Sequence, residues 1–174
     1  AGSDSLVQSV ATGKAVSILT NSLAANDVAA VHGGYSKYRP RLVEGGVALW
    51  ELKPDPGHEV NRSLFGSSGA SLHTKAALID DDTVFVGSFN LDPRSVSLNT
   101  EQGVLAIHPA LGAELARIFK RSTRGNRAWR VTQDAEGELQ WTDGTTTLQA
   151  EPDATFGRRV VATLMRWLPF DSQL

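Results

Sequence analysis

Short apolar runs alternate with stretches of helical periodicity along this chain, which is typical of an α/β domain. Strands are predicted at residues 15–20, 47–52 and 103–107, and helices at residues 26–43 and 109–121. Pro40 lies inside the first helix and is expected to kink or split it, and Gly45 and Gly46 are expected to end it. We therefore predict a mixed β-sheet flanked by helices.

The most apolar part of the chain runs from Ser71 to Gly87 and is interrupted at residues 80–82, which are three consecutive aspartates. This pattern predicts two buried strands joined by a tight acidic turn. The preceding residues 53–70 are polar and rich in glycine, serine and proline, so they predict a surface loop.

The two ends of the chain have a different character from its middle. Residues 1–4 are small and polar, which favours a linker. Residues 128–133 and 138–142 flank a turn sequence and predict a small hairpin, and residues 156–167 have the pattern of an amphipathic helix. We predict a main domain over residues 1–125 and a C-terminal hairpin and helix over residues 126–174, packed on that domain.

The composition of the chain argues against several classes of protein. The 174 residues are 41% hydrophobic and 21% charged, as in ordinary soluble domains. A net charge of -2 argues against a nucleic-acid partner, because such proteins usually carry a basic surplus. The absence of cysteine excludes disulfides and thiolate metal sites, and no apolar run approaches the roughly 20 residues of a membrane-spanning helix.

The sequence His73-Thr74-Lys75 carries the first candidate for chemistry. Side chains alternate faces along a strand, so His73 and Lys75 are expected to point the same way. Asp80 is an odd number of residues from both, which places it on another face or in the turn. We therefore treat Asp80, like Gly87, as a structural residue of the motif.

These residue types suit the transfer of a phosphodiester without a metal. An imidazole at His73 can attack phosphorus or shuttle protons near neutral pH. Lys75 supplies positive charge to the non-bridging phosphate oxygens. Ser88 and Asn90, two residues apart after the next strand, can donate hydrogen bonds that orient the phosphate.

The complete pattern, H-x-K-x4-D-x6-G-S-x-N, resembles the signature of the phospholipase D superfamily. The segments 67–72 (SSGASL) and 89–101 (FNLDPRSVSLNTE) are similar to the C-terminal half of C-type bacterial cardiolipin synthases. The resemblance extends from Leu19-Thr20-Asn21-Ser22 to Trp167-Leu168-Pro169 and so covers nearly the whole chain.

The resemblance implies a mechanism that needs two half-sites. In that family one histidine forms a phosphohistidine, the other protonates the leaving group, and an alcohol resolves the intermediate when the enzyme is a synthase. Glu101 matches the carboxylate that orients the histidine of its own half. The present chain has one such motif, because His32, His58 and His108 are not followed by a lysine at the second position.

The missing motif implies a partner: the N-terminal half of the same protein, which we favour, or a second copy of this chain. His73 then corresponds more often to the acid/base than to the nucleophile. The resemblance further implies phospholipid substrates, no cofactor, and a peripheral location at the bacterial inner membrane.

Three alternatives remain open from the sequence. The aspartates at 80–82 could bind magnesium, although three acids between two strands usually form a solvated turn, so no metal is expected. The activity could be hydrolysis of a phospholipid or of nucleic acid. The isolated half could also be inactive and serve only for dimerisation.

Overall fold

A computed structural model describes residues 2–25, 29–54, 72, 74–89, 100–155, 157 and 160. In chain order its elements are α1 (Gly2–Ala11), β1 (Ser17–Asn21), α2 (Ala29–Ser36), α3 (Arg39–Glu44), β2 (Ala48–Leu52), β3 (Lys75–Ile79), β4 (Thr83–Gly87), β5 (Gly103–Ile107), α4 (Pro109–Ser122), β6 (Ala128–Gln133), β7 (Leu139–Thr142) and β8 (Thr147–Leu148). They form two compact units, the larger within residues 1–72 and 123–170 and the smaller within residues 73–122 and 171–174. The predicted α/β class is confirmed.

The larger unit is built on a five-stranded mixed sheet with the order β1-β2-β6-β7-β8. Strands β1 and β2 are parallel, and the remaining neighbours are antiparallel. Strands β6 and β7 are the predicted C-terminal hairpin, and they add directly to β2. One face of the sheet carries the core, which comprises Leu49, Trp129, Val131 and Trp141.

The first predicted helix is split, as the proline suggested. The chain turns at residues 37 and 38, and Pro40 occupies the first turn of α3, where its missing N–H costs no hydrogen bond. Gly45 ends α3, and Gly46 has a φ of 80°, a left-handed conformation that glycine adopts without strain.

The prediction of a linker at the N-terminus is wrong, because residues 2–11 form α1. Val7 and Val10 of this helix lie against Gly45 and Gly46, where a side-chain carbon on either glycine would crowd them. The two glycines therefore end α3 and also let α1 approach closely. An exposed ion pair between Asp4 and Arg41 (2.7 Å) joins the same two helices.

The smaller unit is an antiparallel sheet with the order β3-β4-β5, followed by α4. The acidic residues 80–82 form the turn between β3 and β4. This turn contacts the start of α4: the His108 backbone N–H donates to the Asp82 carbonyl (2.8 Å), and a side-chain carbon at Gly112 would collide with the Asp81 carbonyl.

The prediction that β3 and β4 are buried is wrong for most of their residues. Val84 is buried, but Val86 and Ile79 are 50% and 54% exposed. Strand β5 is more open still, with Val104 at 69% and Ile107 at 72%. A sheet with apolar side chains on both faces needs cover on both faces, and α4 contacts only part of it.

The predicted amphipathic helix at 156–167 lies outside the described residues, except for positions 157 and 160, which are helical. The division of the chain at residue 125 stays a prediction. Within the described part of the chain, no helix combines the length and the apolar character that crossing a membrane requires.

Candidate active site

Lys75 begins β3 and lies in a cross-strand row with two glycines. It pairs with Gly87 of β4, which pairs in turn with Gly103 of β5. Cross-strand partners share a face of the sheet, so the row presents one long cationic side chain beside two positions that have none. The Phe85 ring occupies the space where side-chain carbons on Gly87 and Gly103 would lie. The two glycines thus leave room for the Phe85 ring on this face of the sheet.

Asp80 lies in the turn that follows β3 and is exposed. Its φ is 54°, a left-handed conformation that aspartate adopts more readily than most residues with a side-chain carbon. Its position at the far end of β3 from Lys75 agrees with its interpretation as a structural residue, which stays a prediction.

Ser88 and Glu101 form the best-defined polar contact of the motif. The Ser88 hydroxyl donates to Glu101 Oε2 at 2.5 Å, and it accepts from the Gln102 backbone N–H at 3.0 Å. The Ser88 backbone N–H donates to the Gln102 carbonyl (2.8 Å), which extends the β4–β5 ladder by one pair. A carboxylate that the sequence places 13 residues away is therefore held against the motif by its serine.

This contact bears on the predicted role of Ser88 as a phosphate ligand. A serine hydroxyl has one proton, and here that proton is donated to Glu101. Ser88 would have to leave Glu101 before it could donate to a phosphate oxygen. In the arrangement observed, Ser88 orients the carboxylate.

His73 and Asn90, the other two predicted site residues, lie outside the described residues. The residue that directly precedes the histidine, Leu72, is described, and both of its backbone polar groups bind the Asn21 side chain. Asn21 Oδ1 accepts from the Leu72 N–H at 2.8 Å, and Asn21 Nδ2 donates to the Leu72 carbonyl at 3.1 Å.

A second polar cluster, centred on Arg39, lies in the core of the larger unit. Arg39 is 1% exposed, and its Nε lies 3.2 Å from Glu51 Oε1. Its Nη2 donates to Glu151 Oε1 and to His32 Nε2, both at 2.7 Å. Glu51 is fully buried and also accepts from Tyr35 (3.0 Å) and from the Trp141 indole (2.9 Å).

The Arg39 cluster contains three potential metal ligands. Donor atoms of His32, Glu51 and Glu151 all lie within 4.8 Å of one another. However, the Arg39 guanidinium contacts all three residues and supplies the positive charge that a metal would bring. The cluster is therefore better described as a buried ion-pair network than as a metal centre.

The acid stability of the fold is expected to depend on Glu151. Burial favours a raised pKa, but contact with His32 and the charge of Arg39 outweigh it and lower the pKa to about 2, from an ordinary 4.5. A carboxylate with a depressed pKa stabilises the fold fully above pH 4.5, and this contribution is lost as the pH falls toward 2.

Replacing Glu151 with glutamine is expected to flatten the dependence of stability on pH between 4.5 and 2. The difference from the parent protein should be on the order of 3 kcal/mol across this window, since one pKa unit corresponds to about 1.4 kcal/mol. Urea unfolding at a series of pH values measures it. The matched control is Glu136→Gln at an exposed position, and parallel pH profiles for both variants would contradict the assignment.

A family model described as "Cardiolipin synthase, PLD-like domain" matches residues 2–123. The chain is 42% identical to cardiolipin synthase C of Escherichia coli K12 over 98% of its own length and 37% of that protein. It is 36% identical to cardiolipin synthase B of the same organism, over 55% of this chain and 17% of the relative. No solved structure matches the chain.

The chain thus spans a little over a third of the length of cardiolipin synthase C, 37%. A Helicobacter pylori protein of unknown function is 40% identical over 70% of this chain and 24% of its own length. The family model covers helices α1 to α4 and strands β1 to β5, and so includes Lys75, Ser88 and Glu101. The chain therefore belongs to the phospholipase D-like domain family of the cardiolipin synthases.

Proposed function

We propose that this chain provides one half-site of an enzyme that transfers a phosphatidyl group between phospholipids and forms cardiolipin. The observation that carries the proposal is the placement of Lys75, Ser88 and Glu101 at one end of the β3-β4-β5 sheet, within a chain of this family. His73 acts at phosphorus or on the leaving group, and a phosphohistidine is the intermediate of the two-step transfer.

Each described residue of the half-site has a separate task in this proposal. Lys75 binds the non-bridging oxygens, whose negative charge grows in the transition state. Glu101 accepts a hydrogen bond from the histidine ring N–H that faces away from the phosphate and so fixes the tautomer. Ser88 holds the Glu101 carboxylate in place through the 2.5 Å hydrogen bond, and Asn90 contributes a donor to the phosphate.

The second half-site belongs to the N-terminal half of the same protein or to a second copy of the chain. The exposed apolar side chains of β4 and β5, including Val86, Val104, Leu105 and Ile107, support a partner of either kind. Val86 and Val104 lie on one face of the sheet and Leu105 and Ile107 on the other, so exposed apolar side chains are available to a partner on both faces. A peripheral location at the bacterial inner membrane would bring the half-site to its lipid substrates.

Labelled phosphatidylglycerol tests the activity directly. The natural full-length protein and the 174-residue chain alone are each incubated with vesicles that contain the labelled lipid. Cardiolipin as the labelled product supports transfer, whereas phosphatidic acid alone would make the protein a hydrolase. Absence of lipid turnover by the full-length protein, with cleavage of DNA or RNA instead, would replace the proposal by a nuclease function.

Replacement of Lys75 by glutamine is expected to lower kcat in this assay by roughly 100-fold, the usual effect of removing one group that stabilises transition-state charge. The folded structure should persist, because Lys75 lies at the first position of an edge strand. The matched control is Lys14→Gln at an exposed position, which should retain full activity. A Lys75 variant with unchanged kcat would remove the lysine from the chemistry.

A further inference from the structure

Asn21 is the last residue of β1 and is anchored in the five-stranded sheet. It pairs with Leu52 of β2, and the next backbone N–H, that of Ser22, donates to the Leu52 carbonyl (3.2 Å). The Ser22 hydroxyl then accepts from the Ala25 N–H, 3.2 Å away, which holds the turn after the strand. The backbone that carries the Asn21 side chain is therefore fixed on both sides.

The Asn21 side chain binds both backbone polar groups of Leu72, 51 positions along the chain. A carboxamide carries a donor and an acceptor side by side, so it can satisfy an N–H and a C=O together, as a neighbouring strand would. An aspartate at this position could accept a hydrogen bond from the N–H but could not donate one to the C=O. A leucine, which has a similar shape, could bind neither backbone group. The pair of contacts thus specifies asparagine rather than a polar residue in general.

The Leu72 carbonyl that Asn21 holds belongs to the peptide group joining Leu72 to His73. A peptide group is planar and includes the Cα atom of the following residue, so a fixed carbonyl oxygen restricts where that Cα can lie. Displacement of a catalytic group by about 1 Å can cost a factor of roughly 100 in rate. The position of this peptide group should therefore affect the reaction rate, because His73 must approach phosphorus or the leaving oxygen.

We propose that Asn21 is a positioning residue for His73: it clamps the Leu72 backbone to the end of β1 and thereby sets where the histidine begins. The inference rests on the proposed function, because it requires His73 to act in the chemistry. Asn21 itself contacts neither substrate nor the reacting atoms in this role, so its replacement affects the rate of the chemical step rather than substrate binding.

The test compares Asn21→Leu and Asn21→Asp in the natural full-length protein, with phosphatidylglycerol vesicles as substrate. Asn21→Leu should lower kcat by roughly 10- to 100-fold and leave KM within about twofold of the parent value. The kcat of Asn21→Asp should lie between those of Asn21→Leu and the parent protein. Asn126→Asp, at an exposed position of the same unit, is the matched control and should leave both constants unchanged.

A double-mutant cycle with His73→Ala separates positioning from general damage to the fold. If Asn21 acts through His73, adding Asn21→Leu to His73→Ala causes no further loss of the residual rate. An additive loss, or an unchanged kcat for Asn21→Leu while His73→Ala is inactive, overturns the positioning role and leaves the proposed function intact. Full activity of His73→Ala overturns both.

Discussion

Replacing His73 with alanine in the natural full-length protein is expected to lower the turnover of labelled phosphatidylglycerol by at least about 100-fold. This is the lower range for removal of a general acid or base, and a nucleophile would cost more. The matched control is His108→Ala: His108 is exposed directly after β5, and its ring accepts a hydrogen bond from the nearby Ala110 N–H. Comparable activity in the two variants would refute the assignment of His73.

The same variant can distinguish the two roles open to His73. A general acid is needed when the leaving group is an alkoxide, but a nitrophenolate leaves without a proton. If His73 is the acid, His73→Ala should release nitrophenolate from a p-nitrophenyl phosphodiester in the first turnover at nearly the parent rate. A loss as large as that with phosphatidylglycerol would make His73 the nucleophile instead.

The fold class was predictable because strand periodicity, turn residues and the position of Pro40 pointed to the same elements. The strands with β-branched runs and the turn of three aspartates were found close to their predicted positions. Helix α1 was missed because its small polar residues resemble a linker, and its stability depends on Val7 and Val10 packing on Gly45 and Gly46. A contact between segments more than 30 residues apart produces no pattern in the local sequence from which the helix could be predicted.

Burial was predicted less well than secondary structure. Apolar runs in β3 to β5 indicate side chains that require cover, but they do not indicate whether this chain provides it. In the opposite direction, Glu51 is a charged residue, a type that is rarely buried, and it is fully buried here. Its parity with Leu49 in β2 was a usable signal, since both lie on the face that carries the core.

The candidate site was predictable where it follows from spacing along one strand, and less so where it depends on contacts between distant segments. The positions of Lys75 and Gly87 in the sheet follow from strand pairing. The bond from Ser88 to Glu101 and the clamp of Asn21 on Leu72 join residues 13 and 51 positions apart. The sequence shows which of these residues can donate or accept hydrogen bonds, but it does not show which of them bind each other.

Arg39→Met is expected to destabilise the protein by about 3–5 kcal/mol, the usual cost of removing one partner from a buried ion pair. The substitution leaves the fully buried Glu51 carboxylate without its guanidinium, and Glu151 loses the same cation. Urea unfolding at pH 7 measures the effect. Arg117→Met is the matched control, because its pair with Glu114 is exposed on both sides and should contribute little.

A second substitution shows whether the cost arises from charge or from lost packing. Adding Glu51→Gln to Arg39→Met removes the uncompensated carboxylate. The glutamine oxygen can still accept from the Trp141 indole, and its NH2 group can donate to the Tyr35 hydroxyl oxygen. The double variant should therefore be more stable than Arg39→Met alone. Glu51→Gln by itself removes one of the two carboxylates that the described residues place against Arg39, and it should be destabilising. If the two losses simply add, Arg39 stabilises the core through its volume, and the ion-pair interpretation of the cluster is wrong.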